Sequence, residues 1–211
     1  MKFRSDPSQI KGSIAPLMTP FLATGEVDHD SLANLVNWQL ANGTHGISLG
    51  GSTGEPSSQS VQERADAIRT VAKTIDDRVP FMPGTGTEKL EETLELTAAA
   101  QDAGADAVLI ITPYYARPTQ EALYTWYTTV AREFPDLPIV AYNVPSRTAV
   151  DIAPETVARL YRDGSTGAAG VVDVEVDVGQ KSVVCSDLAH GHMVGPVPER
   201  SGTLDAARTS W

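Results

Sequence analysis

Basic residues are scarce in this chain of 211 residues. Lysine and arginine total 16 against 27 aspartates and glutamates, a formal net charge of −11. A surface of that sign repels a phosphate backbone, so nucleic acid is not an expected partner. Cysteine is nearly absent. Cys185 stands alone, which excludes an internal disulfide and agrees with a cytoplasmic protein. Long apolar runs are missing too. A stretch such as AVLII (107–111) is far too short to span a bilayer, so no membrane partner is expected. The opening MKFRSDPSQIKGS has no continuous apolar segment of the secretory kind. From 164 to 211 there is no isoleucine, phenylalanine or tyrosine, although the chain has six tyrosines and four phenylalanines.

What is present is a rhythm. Short apolar runs alternate with segments of helical period: SIAPLMTPF (13–21), HGISLGG (45–51), VPFMPGTG (79–86), DAVLIITPYY (106–115) and LPIVAYNVPSR (137–147). Each run is apolar on successive positions, as parallel strands covered on both faces are. Between them lie amphipathic patterns. Val61, Ala65, Ile68, Ala72 and Ile75 recur at three- and four-residue spacing, as do Leu123, Tyr127, Val130 and Phe134. Gly43 and Gly104 sit where helices stop, and Pro154 suits the first turn of a last helix.

Five βα units in a row predict an α/β fold with a parallel sheet. A doubly wound sheet and a (β/α)8 TIM barrel both fit the alternation. The barrel is favoured because several successive strands end in polar or glycine-rich residues, where such folds place ligands. About five to six units are legible, so the barrel is expected to be incomplete. The expected division is an N-terminal barrel part over 12–163 and a divergent tail over 164–211, partly disordered or holding one edge strand. VDVEVDV (172–178) alternates with period two, the pattern of a half-exposed strand. Its acids, Asp173, Glu175 and Asp177, read as a solvated face.

The chemistry gathers at the strand ends. GGSTGE (50–55) offers the Ser52 and Thr53 hydroxyls and turn amides to a small anion. Taken alone it is a common strand-to-helix turn, and it lacks the lysine of a Walker A loop. TPYYARP brings Tyr114 and Tyr115, and YNVPSRT brings Tyr142 and Arg147. A tyrosine in a barrel mouth relays protons, and an arginine there pairs with a carboxylate. Singly, each of these is an ordinary core tyrosine or surface arginine. His190 and His192 lack acid or thiol partners at ligand spacing, so no metal is expected.

GGSTGE, GTGT, TPYY-x-RP-x-Q and YNVPSRT, in that order, closely resemble the dihydrodipicolinate synthase/N-acetylneuraminate lyase family over 12–163. YNVPSRT looks most like the dihydrodipicolinate synthase branch. The resemblance implies a class I aldolase of lysine biosynthesis on a TIM barrel, a homotetramer without cofactor. In it, a lysine forms a Schiff base with pyruvate, which condenses with aspartate semialdehyde. Carried over by motif, Ser52 and Thr53 bind the pyruvate carboxylate. Thr53, Tyr142 and Tyr115 form a proton relay, Tyr115 reaching in from a neighbouring subunit. Arg147 binds the aldehyde's carboxylate.

One position departs from the family. Its Schiff-base lysine follows a Gly-Ile/Val pair, and here Gly170-Val171 is followed by Val172. Valine has no amine and forms no imine. Lys181 is the sole lysine of the tail. The alternative is therefore a catalytically inactive, truncated or frame-shifted relative. The change of composition near residue 163 suggests a reading-frame shift in the encoding gene.

Overall fold

A computed structural model describes residues 12–163. The tail, with Val172, Lys181, His190, His192 and the VDVEVDV pattern, lies outside the described residues. Four strands are short: β1 (Ile14–Pro16), β2 (Gly46–Ser48), β3 (Val108–Ile111) and β4 (Ile139–Tyr142). The helices are α1 (His29–Ala41), α2 (Val61–Ile75), α3 (Leu90–Asp102), α4 (Gln120–Glu133), the single turn α5 (Pro145–Thr148) and α6 (Pro154–Asp163).

The third expected strand is not a continuous one. Residues 80–86 join their neighbours through isolated parallel bridges, Phe81 to Ile47 and Gly84 to Leu109. Met82 and Gly84 donate backbone N–H bonds to Ile47 and Leu49, while Thr85 donates to Leu109. Pro80 and Pro83 have no N–H, so the ladder is interrupted where they stand. The fifth expected run also ends early. Its strand stops at Tyr142, because Pro145 opens α5.

With 80–86 counted as a stave, the parallel order follows the chain: β1, β2, 80–86, β3, β4. The helices pack in chain order too, α1 on α2, α2 on α3, α3 on α4 and α4 on α6. A doubly wound sheet would reverse strand order at a switch point. These residues form a stretch of barrel wall instead.

Side chains alternate across that wall. In β3, Val108 and Ile110 enter the main core under the helices, with Ile139 and Ala141 of β4. Leu109 and Val140 turn the other way, into a smaller cluster with Met82, Ala107 and Ile14. The main core also holds Leu32, Val36, Ile47, Ile68, Val71, Leu96, Leu123 and Val130, all essentially inaccessible to solvent. Each such side chain contributes about 1.5–3 kcal/mol by leaving water. The α4 stripe of Leu123, Tyr127 and Val130 is buried as its spacing predicts. In α2 the stripe is rotated slightly, with Val71 buried and Ala72 only half-buried.

Helix ends are fixed locally. Asp28 caps α1 by accepting from the Ser31 amide at 3.0 Å and its hydroxyl at 2.6 Å. Those bonds hold the Asp28 carboxyl below the usual range. Ser60 and Glu63 form a reciprocal capping box on α2. Gly43 and Gly104, at φ +79° and +87°, end α1 and α3 in the left-handed region. Among the described residues no helix is long and apolar enough to cross a membrane.

Candidate functional site

A cavity of about 300 Å³ opens at the C-terminal ends of the staves. Its floor is glycine by necessity. A methyl on Gly50 would lie 2.9 Å from the Gly84 carbonyl oxygen, and one on Gly86 would lie 2.7 Å from the Ile111 nitrogen. Contacts that short force the backbone apart, so small residues let three staves converge beneath the site.

The wall combines groups from four parts of the chain. Gly50, Gly51 and Ser52 come from the turn after β2. Leu109, Ile111 and Tyr114 come from β3 and its exit, and Tyr142, Arg147 and Thr148 from β4 and α5. Arg64 reaches in from α2. Three of the five sequence-predicted residues, Ser52, Tyr142 and Arg147, are thus brought to one cavity. Thr53 and Tyr115 are not among the lining residues. Thr53 is exposed. Tyr115 is 95% exposed, with a left-handed φ of +68°.

Sequence reading missed Arg64. It is only 6% exposed, and its Nη2 donates to the Gly84 carbonyl at 3.0 Å and the Gly86 carbonyl at 3.3 Å. Its buried Nε has no partner among the described residues. Burial pushes its pKa below the ordinary arginine value, partly opposed by Tyr114, Glu92 and Glu88. The signal was available, because Arg64, Ile68, Val71 and Ile75 fall on one buried helical stripe. An arginine on the apolar stripe of a helix marks a cation needed inside.

Tyr114, offered by the sequence beside Tyr115 in TPYY, does line the cavity. Burial, and then a hydrogen bond with the Glu88 carboxylate, push its phenol up to about 12. The same bond holds Glu88 below its ordinary value. The phenol therefore stays protonated and donates at any ordinary pH.

Together these groups suit a small carboxylate. The turn supplies a hydroxyl and backbone amides, Arg147 a planar cation, and Tyr142 a phenol able to pass a proton. Among the described residues no group of three or more His, Cys, Asp or Glu side chains is placed to hold a metal. The two described lysines, Lys73 on α2 and Lys89 paired with Glu92 at 2.6 Å, do not line the cavity.

Comparisons with known proteins agree with this architecture. The chain is 50% identical over 153 residues to the 4-hydroxy-tetrahydrodipicolinate synthase of Thermus thermophilus, covering 72% of this chain and 51% of that protein. It is 47% identical over 153 residues to the enzyme of the same name from a Psychrobacter species, covering 72% and 50%. The chain thus spans about half the length of the curated relatives it matches. Among solved structures, dihydrodipicolinate synthase from Aquifex aeolicus superposes with a TM-score of 0.74 at 38% identity, covering 81% of this chain and 56% of that one. A chloride-inhibited dihydrodipicolinate synthase from Acinetobacter baumannii, complexed with pyruvate, gives 0.72 at 42% identity, covering 79% and 55%. The dihydrodipicolinate synthetase family profile matches residues 9–185, running past residue 163 into the segment where composition changes. With staves in chain order, a glycine-floored cavity at their ends and a match over most of its length, the chain belongs to the dihydrodipicolinate synthetase family.

Proposed function

We propose that this chain binds pyruvate at the strand-end cavity, as a dihydrodipicolinate synthase-like lyase does before condensing it with aspartate semialdehyde. The observation that carries the reading is the meeting of Ser52, Tyr142 and Arg147, from separate strand ends, around one cavity. Ser52 and its turn amides hold the pyruvate carboxylate; Thr53, exposed and outside the lining, is assigned to it by motif alone. Tyr142 carries the proton between substrate and solvent, and Arg147 holds the carboxylate of the aldehyde. Tyr115, exposed here, completes the relay of a second copy in a homotetramer. Residues 12–163 are the N-terminal part of the barrel. The working compartment is the cytoplasm, and no cofactor is needed.

The covalent step needs an amine held in a dry site with a lowered pKa. Neither described lysine lines the cavity, and Val172 occupies the position the family motif gives to lysine. That favours a second reading, a relative that keeps the 2-keto acid pocket without turnover. Two measurements separate them. Titration with pyruvate, followed by NMR, reports reversible binding. Borohydride reduction followed by peptide mass spectrometry reports imine formation. We expect binding without a fixed adduct, and an adduct on Lys181 would establish imine formation in this chain and reject the second reading. Translating the coding DNA in its other two frames beyond codon 163 tests the frame-shift origin. A Gly-Val-Lys-Glu-like strand followed by further βα units is expected, and featureless sequence would reject it.

A further inference from the structure

The turn after β2 owes its shape to residues outside the site motif. It begins as a single 3₁₀ turn, Ser52–Gly54, and leaves through Glu55, which is left-handed at φ 52° and ψ 50°. That conformation is unfavourable for a residue with a Cβ, and Pro56 follows directly, which disfavours helical-type angles before it. The internal bonds of the turn do not compensate fully. Gly54 N–H reaches the Gly51 carbonyl at 2.9 Å and Ser58 N–H the Glu55 carbonyl at 3.0 Å, but Glu55 N–H is 3.4 Å from the Ser52 carbonyl and no backbone bond reaches the Gly54 carbonyl among the described residues.

The support comes from Gln59 and Thr19. The Gln59 side-chain amide donates to the Gly54 carbonyl at 2.8 Å and lies 3.3 Å from the Glu55 carbonyl. These are the carbonyls of the two peptides flanking the Glu55 Cα. In a left-handed residue consecutive carbonyls point the same way, so one amide reaches both. A Glu55 that left this conformation would separate them. Thr19, buried at the exit of β1, donates its hydroxyl to the same Gly54 carbonyl at 2.7 Å. Its Oγ1 accepts from Gln59 at 3.3 Å. A Cβ on Gly54 would lie 3.2 Å from both Leu17 O and Thr19 Oγ1, so the turn is seated directly on the first stave.

We infer that Gln59 and Thr19 are positioning residues. They lock the Glu55 conformation and thereby fix the direction in which Ser52 and the turn amides face the cavity. The inference rests on the reading of that cavity as a pyruvate site for its functional consequence, and on the hydrogen bonds alone for its structural part.

The test uses the full chain and Gln59→Leu, Thr19→Val and Thr19→Ser. Three quantities are read: amide shifts and hydrogen exchange over 50–58, pyruvate affinity by NMR titration, and Tm. Gln59→Leu and Thr19→Val are expected to speed exchange at Gly54 and Glu55 and weaken pyruvate binding by about fivefold to tenfold, the worth of one good hydrogen bond. Tm should stay within about 2 °C and β4 shifts unchanged, because the bonds lie in a local turn. Thr19→Ser, which keeps the hydroxyl, should behave as the parent. The inference is overturned if the turn signals stay as in the parent, if the turn loosens without loss of pyruvate affinity, or if Thr19→Ser fails as Thr19→Val does. A general fall in Tm with shifts spread over β4 also overturns it, since the pair would then be supporting the fold. Should the parent chain itself take up no pyruvate, the pyruvate-site reading fails. The turn signals then decide the positioning inference by themselves.

Discussion

A methyl group on Gly84 would stand 2.6 Å from the carbonyl oxygen of Gly50. The two glycines, at the ends of neighbouring staves, touch backbone to backbone beneath the cavity. Gly84→Ala must push the staves apart. It is expected to destabilise the chain by about 1–3 kcal/mol, the usual cost of overpacking. Gly51 is the control, because nothing lies within 4 Å of a Cβ there. Gly51→Ala should stay within about 0.5 kcal/mol of the parent. Urea unfolding followed by circular dichroism distinguishes the two.

Tyr114 gives a prediction in pH. Its phenol titrates at about 12 in the folded chain against an ordinary value of 10.0. The folded state therefore keeps the proton that the unfolded chain gives up first. The sign follows: the contribution is complete below pH 10, falls as pH rises, and is gone above about 12. Its size is reduced by solvent screening, since the hydroxyl is only partly buried. Ultraviolet titration of tyrosinate should lose one late-titrating phenol in Tyr114→Phe. A Tyr114 that titrates with the exposed tyrosines would refute the Glu88 bond.

Arg64 couples to that titration. Its charge lowers the Tyr114 pKa, against the dominant effect of burial. Arg64→Met should therefore move the Tyr114 midpoint further up. It also leaves the Gly84 and Gly86 carbonyls without their side-chain donor. The expected loss is about 1–3 kcal/mol, the cost of unsatisfied buried acceptors. Arg64→Lys keeps the charge but has a shorter side chain, without the Nη2 group that reaches both carbonyls, so it should restore the titration more fully than the stability. A Tyr114 midpoint that falls in Arg64→Met would contradict this arrangement.

Much of this was readable in the sequence, and the exceptions share a cause. Periodicity located the helices because each has one face under the sheet, as in Leu123, Tyr127 and Val130. Motif order named Ser52, Tyr142 and Arg147, which meet at one cavity. The strand at 80–86 was overstated because apolar composition signals burial, whereas a ladder also needs the N–H groups that Pro80 and Pro83 lack. Arg64 escapes an apolar periodicity because its side chain is charged. Its place on the stripe of Ile68, Val71 and Ile75 points inward, and the acceptors that justify it, Gly84 and Gly86, lie about twenty residues on. Such a partner is visible only once the chain is folded. The exposure of Tyr115 is of the same kind, since its direction is set by a left-handed backbone that no periodicity encodes.

The two roles proposed for polar residues in the cavity should separate experimentally. Ser52 belongs to the turn proposed to hold pyruvate, so Ser52→Ala removes one hydroxyl donor. Pyruvate affinity should fall by about twofold to tenfold, the range for one neutral hydrogen bond. Arg147 lies across the cavity on α5, with an exposed side chain, and is assigned to the second carboxylate. Arg147→Ala should leave pyruvate affinity within about twofold, since it removes no pyruvate contact. It should instead abolish any strengthening of pyruvate binding by a four-carbon semialdehyde or its dicarboxylate analogue, because a bidentate charge-assisted contact is lost. Tyr142→Phe keeps the ring packing and removes only the hydroxyl. It should therefore leave Tm near the parent value. If Arg147→Ala weakened pyruvate as strongly as Ser52→Ala, the carboxylate of pyruvate would sit on α5, and the assignment of the two ends of the cavity would have to be reversed.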